Sequence, residues 1–200
     1  MNRLIIVEGL PASGKSTRAK SIAEKMRENG LTVCCVDEGA ENHPADYSDY
    51  VWGDFEAERA SILDKWRSFV NGSNENTVYV FNCIFLQNPM CETMMRFGMS
   101  ERESCKYICE IADIIRCLDP LIIYLQQNDA GTAIRNVLAE RGDDWLNAVI
   151  AYHTEQGYGK ENGLSGFDGY IKCLEERQRR ELRILKQTGL EYRIEQAYSL

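Results

Sequence analysis

The sequence has no apolar run close to the roughly 20 residues that cross a bilayer, and the run at residues 4–7 is too short for a secretory signal. It also has no excess of basic residues: 31 acidic and 23 basic residues give a net charge of -8. A chain with this charge repels nucleic-acid phosphates as a whole. We therefore expect a cytoplasmic protein with neither a membrane nor a nucleic-acid partner.

Histidine is scarce, and the cysteines lack metal-binding spacing. None of the eight cysteines forms a CxxC pair, and neither His43 nor His153 has a cysteine close by in the sequence. A structural zinc site is therefore not supported. The cysteines lie mostly within apolar periodic segments, which favours an interpretation as buried thiols.

The remaining composition is that of one globular domain. The 200 residues are 44% hydrophobic and 27% charged, so a single domain over residues 1–200 is expected. Apolar, β-branched runs predict strands at residues 4–7, 31–36, 77–81 and 121–125, with a possible fifth strand at 192–194. The first two runs, joined by a helix, predict a parallel pair.

Helical periodicity alternates with these strands. Helices are predicted over residues 16–29, 56–70, 100–118, 129–141, 144–155 and 170–188, and residues 87–89 open a shorter one. This alternation predicts a three-layer α/β fold with a mostly parallel, about five-stranded sheet. Five glycines between residues 157 and 169 predict a mobile loop, which makes residues 141–170 a lid-like segment.

The strongest motif follows the first predicted strand. Residues 9–16, GLPASGKS, match GxxxxGK[ST] and stand directly before a predicted helix, which is the context that this phosphate loop requires. Its glycines let successive N–H groups point inward, its lysine supplies a cation for the outer phosphates, and Ser16 offers a hydroxyl to Mg²⁺. The predicted nucleotide-binding residues are Gly9, Pro11, Ala12, Ser13, Gly14, Lys15, Ser16 and Thr17.

The first forty residues carry a family resemblance. The run LIIVEGLPASGKSTRAKSIAEKMRENGLTVCCVDEG resembles the opening of thymidylate-kinase-like and related nucleotide and nucleoside kinases. The resemblance implies a P-loop kinase fold with a lid, and ATP and Mg²⁺ as cofactors. Those kinases usually carry an Asp-Arg pair at the end of strand three, where this chain has Asn82.

Phosphoryl transfer requires cations on the transferred group and a residue that orients the acceptor hydroxyl. Lys15 supplies one cation. Arg135 and Arg141 lie where the lid arginines of these kinases lie, although they could instead form surface ion pairs. Asp37 and Glu38 follow strand two; the resemblance to deoxynucleoside kinases favours Glu38 as the acceptor-orienting residue, and Asp37 could steady Mg²⁺ through water. Both could also be ordinary surface acids.

The acceptor-binding segment is expected within residues 37–70. His43 begins a His-Pro pair similar to that of gluconate-kinase-like enzymes, and Gln87 could hydrogen-bond an acceptor. Four aromatic residues of this segment could form a wall on which a ring-shaped acceptor stacks, or they could belong to the core. They are Tyr47, Tyr50, Trp52 and Phe55. Residues 37–58 contain eight acids and no lysine or arginine, which favours a neutral or cationic acceptor such as a nucleoside, sugar derivative or amino-bearing natural product.

Three functions follow from these residues. The first is an ATP-dependent small-molecule kinase. The second is a nucleoside monophosphate kinase, in which Arg96 or Arg102 would reach the acceptor phosphate. The third is a regulatory or non-catalytic nucleotide-binding protein, which Asn82 favours. Arg177, Arg179 and Arg180 are interpreted as the solvated face of the last helix.

Overall fold

The sheet has five strands, all parallel, in the computed structural model, which describes residues 2–47 and 53–197. The strands are β1 (Leu4–Gly9), β2 (Thr32–Val36), β3 (Thr77–Asn82), β4 (Pro120–Gln126) and β5 (Glu191–Gln196), and their order across the sheet is β2-β3-β1-β4-β5. Helices cover both faces, so the fold is the predicted three-layer α/β fold.

The predicted pairing of β1 with β2 is wrong. Strand β3 lies between them, with Tyr79 opposite Leu4 on one side and opposite Cys34 on the other. Burial explains the arrangement: β1 is buried along its whole length, whereas every residue of β2 keeps some exposure. The less buried strand β2 lies at the edge of the sheet, and the more buried β3 takes the interior position.

The helices largely agree with the predicted periodicity. They are α1 (Lys15–Glu28), α2 (Phe55–Gly72), the short α3 (Gln87–Met90), α4 (Glu101–Ile115), α5 (Ala130–Arg141), α6 (Asp143–Thr154), α7 (Gly157–Glu161) and α8 (Gly166–Gln187). A π-helical segment, Cys91–Arg96, follows α3, and a 3-10 turn, Arg116–Leu118, follows α4. Ser100 and Glu103 form the predicted capping box of α4.

The core lies on both faces of the sheet. Leu4 and Ile6 of β1 pack on the larger side with Trp66 of α2 and Ile111 of α4, whereas Ile5 and Val7 face α1. Successive residues of a strand point to opposite faces, so the fully apolar β1 contributes to both layers. This burial holds the end of β1, where the phosphate loop begins, between two packed helical layers.

The predicted loop between residues 157 and 169 is largely helical. A Cβ added at Gly157 would overlap the carbonyl oxygen of Met95, and one added at Gly159 would overlap that of His153. These two glycines therefore allow α7 to pack closely against the π-helical segment and the end of α6. Glycine occurs both in mobile loops and where two backbones pack closely, so composition alone could not distinguish the two. The lid-like role of residues 141–170 stays a prediction.

The cysteine interpretation is correct for only two of the eight residues. Cys83 and Cys173 are buried, Cys117 is exposed, and the other five are partly exposed; all eight are free thiols. Apolar spacing did not distinguish the core from an edge strand or an outer helix face.

Among the described residues, no helix is both long and apolar enough to cross a bilayer. Tyr50 and Trp52 lie outside the described residues.

Candidate functional site

A cavity of about 420 Å³ opens where the phosphate loop leaves β1. This volume lies within the range of small-ligand sites. Residues 11–17 form one wall, and Glu38, Asn82 and Gln87 line it from the neighbouring strand ends. Residues of α5, α6, α8 and the π-helical segment also line the cavity, so the cavity joins the predicted phosphate site to the helical side of the molecule.

The phosphate loop has the backbone geometry that its glycines predict. Gly9 has a φ of 146°, and a Cβ there would lie 2.6 Å from the carbonyl oxygen of Leu125. Gly14 is left-handed, with a φ of 87°, and precedes α1 without a side-chain cap. The first-turn amides of α1 are thus available to an anion. The ammonium group of Lys15 is buried and donates to the carbonyl oxygen of Leu10 at 3.0 Å.

Asn82 joins two of the predicted metal-site residues. Its Nδ2 donates to Ser16 Oγ at 2.8 Å and to Asp37 Oδ1 at 3.2 Å, while Lys20 Nζ lies 3.2 Å from Asp37 Oδ2. A hydroxyl and a carboxylate thus meet at one amide, and such oxygen donors suit Mg²⁺. The described residues contain no cluster of three or more His, Cys, Asp or Glu that could hold a metal. A metal here would therefore take further oxygens from nucleotide phosphates.

Glu38 is held at the cavity wall by two donors. Its Oε2 accepts hydrogen bonds from Gln87 Nε2 at 2.6 Å and from the thiol of Cys83. Burial is the main cause that raises the pKa of Cys83 well above its usual value, and the nearby carboxylates add to it, so the thiol keeps its proton. Cys83 and Ile84 have φ values of 52° and 77°, a strained region for residues other than glycine.

Glu8 supports this strained segment from beneath. Its carboxylate accepts N–H bonds from Phe85 at 2.8 Å, Leu86 at 2.9 Å and Gln87 at 3.3 Å. Burial raises the pKa of Glu8 to about 7, although the hydrogen bonds to the backbone favour the charged form. Glu8 therefore helps to position Gln87 at the cavity.

Arg177 shows that the interpretation of the last helix was wrong. Its side chain is 1% exposed, lines the cavity, and has Nε 3.1 Å from Glu181 Oε1. Glu181 Oε2 in turn accepts from Tyr124 Oη at 2.5 Å. Of the three arginines, only Arg179 is mainly exposed; Arg180 pairs with Glu176. The helical spacing of Arg177 with the apolar positions Tyr170, Leu174 and Ile184 was the signal that could have located it.

The other predicted site residues divide between the cavity and elsewhere. Arg141 lines the cavity and lies over the Trp145 ring, whereas Arg135 lies over the Phe167 ring and is absent from the cavity wall. Tyr47, with Lys65 over its ring, is also absent from that wall.

His43 belongs to the core. It is 1% exposed, packs edge-on against Phe81, and accepts the N–H of Ala45 on Nδ1 at 3.1 Å. Burial lowers the pKa of His43 to about 4. The structure therefore does not bring it to the cavity, because its imidazole closes a local turn and fills space beneath the sheet.

The number of acidic residues in residues 37–58 does not give the charge of the cavity wall. Asp46 and Glu58 are buried, bonded to Asn88 and Arg96 respectively, and Asp54 caps α2. Among the described acids of this segment, Glu38 alone lines the cavity; Asp49 lies outside the described residues. The expectation of a neutral or cationic acceptor rested on the number of acids in this segment. The sequence did not show which of these acids form hydrogen bonds or ion pairs inside the protein.

The sheet, the phosphate loop and the cavity beside it define a P-loop NTPase or kinase-like fold, which supports nucleotide binding. A family described as "Chromatin associated protein KTI12" matches residues 2–71, which is less than half of the chain. The crystal structure of APE1195 resembles this chain over 90% of its length and 96% of that chain, with 14% identity and a TM-score of 0.47. Among curated proteins, nothing matches the sequence.

Proposed function

We propose that the protein transfers a phosphoryl group from ATP to a hydroxyl of a small molecule bound in the cavity. The observation that carries this proposal is the juxtaposition, in one cavity, of the phosphate loop and a fixed carboxylate, that of Glu38. A protein that only binds nucleotide needs the loop but no oriented carboxylate facing it. Phosphoryl transfer to a hydroxyl needs both.

The donor side would use the loop and the residues that Asn82 links. Lys15 would exchange the Leu10 carbonyl for the outer phosphates of ATP, and the first-turn amides of α1 would bind the same phosphates. Ser16 and Asp37 would hold Mg²⁺ directly or through water. Mg²⁺, when bound, neutralises the charge that develops on the transferred group.

The acceptor side would use Glu38. Its carboxylate, which accepts from Gln87 and Cys83, would accept the proton of an acceptor hydroxyl or orient that hydroxyl toward the outermost phosphate. Arg141 offers a second cation at the cavity wall. The two donors to Glu38 would hold its orientation when an acceptor binds.

An acceptor panel tests the proposal. The full chain would be incubated with ATP, Mg²⁺ and separate sets of nucleosides, sugars, amino alcohols and hydroxy acids, and phosphorylated products would be detected by mass spectrometry. We expect product from at least one set, and at least about a hundredfold less of it with the Glu38→Gln variant. ATP binding without product from any set would argue against the kinase.

A regulatory nucleotide-binding protein is the second candidate, favoured by the family match over residues 2–71. Its activity would be ATP hydrolysis without an acceptor, coupled to a macromolecular partner. Hydrolysis that persists in Glu38→Gln and is unchanged by every acceptor set would favour this candidate.

The monophosphate-kinase alternative is not supported by the two arginines suggested for it. Arg96 pairs with Glu58 and Glu92, and neither Arg96 nor Arg102 lines the cavity.

A further inference from the structure

Three side chains at the helical end of the cavity have buried polar atoms with no hydrogen-bond partner among the described residues. They are Arg177, at both Nε and Nη2, Tyr170, at its hydroxyl, and His153, at Nε2. The three side chains are 1%, 0% and 6% exposed, and all three line the same cavity as the phosphate loop. Buried polar groups are normally paired, so three unpaired ones on one wall indicate a ligand.

Arg177 brings a permanent positive charge to this wall. Burial opposes the charge, but the Glu181 carboxylate keeps the pKa of the guanidinium above its usual value. Nη1 donates to Cys91 Sγ at 3.4 Å, and Nε lies 3.1 Å from Glu181 Oε1 in an ion pair without forming a hydrogen bond. Nη2 has neither a hydrogen bond nor an ion pair within the described part of the chain. A buried guanidinium with an unused N–H is suited to an anionic oxygen.

His153 and Tyr170 complete the wall with opposite hydrogen-bonding roles. His153 Nδ1 lies 2.7 Å from the carbonyl oxygen of Val149, so Nδ1 carries the proton and Nε2 presents a lone pair. Burial lowers the pKa of His153 to about 4, which keeps the ring neutral. Burial raises the pKa of Tyr170 to about 12, so its hydroxyl remains a donor. The two ring centroids are 4.8 Å apart.

We propose that this wall is the acceptor's anion subsite, at which Arg177 and Tyr170 bind a carboxylate or phosphate and His153 Nε2 accepts a hydrogen bond from a neighbouring hydroxyl or amino group. The inference rests on the proposed kinase function and narrows its acceptor to a small hydroxylated acid or phosphate ester. Glu38 lines the same cavity, beside the carboxyl ends of the strands.

Calorimetry with the phosphate loop occupied tests the subsite directly. The full chain would be saturated with a non-hydrolysable ATP analogue and Mg²⁺, so that added anions cannot bind at the loop. Inorganic phosphate, glycerate, glycerol 3-phosphate and glycerol would then be titrated separately. We expect the anions to bind at least about tenfold more tightly than glycerol. The comparison of glycerate with glycerol 3-phosphate identifies which anion is preferred.

Two variants connect this binding to the named atoms. Tyr170→Phe removes only a hydroxyl that has no hydrogen-bond partner in residues 2–47 and 53–197, and Arg177→Lys keeps the charge but removes the planar donors. Each should weaken the preferred anion about tenfold and leave the affinity for the ATP analogue unchanged. Arg179→Lys, on the exposed side of α8, is the matched control and should change neither affinity. If Arg177→Lys does not fold, Tyr170→Phe decides the question.

Anions that bind no more tightly than glycerol, or a folded Tyr170→Phe with unchanged anion affinity, would overturn the subsite. Phosphorylation of neutral acceptors without any anion binding would leave the kinase proposal standing and reject the subsite. Anion binding that responds to both variants, without transfer to any acceptor, would support the subsite and reject the kinase. The two failures are therefore distinguishable.

Discussion

Lys15 has its ammonium group on the Leu10 carbonyl, within the loop that it is expected to serve. We predict that Lys15→Met weakens binding of the ATP analogue about tenfold to a hundredfold, because hydrogen bonds between charged groups are lost while the fold needs no buried cation at this point. Calorimetry measures the change. Lys25→Met, on the exposed last turn of α1, is the control and should bind normally. Equal affinities for the two variants would contradict the role of Lys15.

Glu38 offers a separate prediction about chemistry. Glu38→Gln preserves the size of the side chain but removes the carboxylate that accepts from Gln87 and Cys83. We expect kcat for the identified acceptor to fall about 10²-fold to 10⁴-fold, the usual contribution of a general base, with the affinity for the ATP analogue unchanged. Steady-state kinetics and calorimetry separate the two quantities. A variant with normal kcat would show that Glu38 only shapes the cavity wall.

His43 provides a prediction about pH. Because the pKa of folded His43 is about 4 and its usual value is 6.5, the unfolded chain takes up a proton before the folded chain does as the pH falls. Stability is thus present above pH 6.5 and is lost between pH 6.5 and 4. We predict that His43→Phe, compared with the wild type, loses about 2 kcal/mol less free energy of unfolding between pH 7 and 4.5.

Urea denaturation at the two pH values measures this difference, and each protein serves as its own reference. His153, whose pKa burial also lowers to about 4, is unchanged in the variant and contributes equally to both proteins. Glu8 acts in the opposite direction, because its raised pKa makes stability fall as the pH rises from about 4.5 to about 7. Identical pH dependence in wild type and His43→Phe would show that His43 is not buried in its neutral form.

At the scale of elements, the glycines that join α6 to α7 serve packing. Gly159→Ala would place a methyl group against the backbone of His153, so we expect a loss of about 1–3 kcal/mol of unfolding free energy. Gly72→Ala, at the end of α2 where nothing lies within 4 Å, is the control and should change stability little. Urea denaturation compares them. A Gly159→Ala protein as stable as the wild type would instead support the flexible loop that the composition suggested.

At the scale of the whole molecule, nucleotide binding should stabilise the fold. The cavity is built from both the sheet side and the helical side, so a bound nucleotide opposes unfolding of both. At a concentration 100 times Kd, the ATP analogue with Mg²⁺ should raise the free energy of unfolding by about 2.7 kcal/mol. Chelation of Mg²⁺ by EDTA should reduce the gain, and Lys15→Met should reduce it further at the same ligand concentration. No stabilisation at saturating ligand would reject nucleotide binding.

Local chemistry made much of this fold predictable. The glycine spacing of the phosphate loop and the Ser100–Glu103 capping box act within a few residues, and the apolar periods of the strands and helices are read along the chain. The order of elements therefore followed from the sequence. The element ends differ from the predictions by a few residues, since the last turn of a helix depends on what it packs against.

The rest of the site required long-range contacts. His43 and Arg177 are each ordinary polar residues in the sequence, yet one fills the core and the other faces the cavity.

The sequence by itself determined the phosphate loop and the α/β class, because both depend on spacing along the chain. The tertiary structure decided that β3 separates β1 from β2, that the acids Asp46 and Glu58 are consumed by internal partners, and that Arg177 is buried at the cavity wall. The physical reason is that burial and pairing are properties of residues brought together from distant parts of the chain.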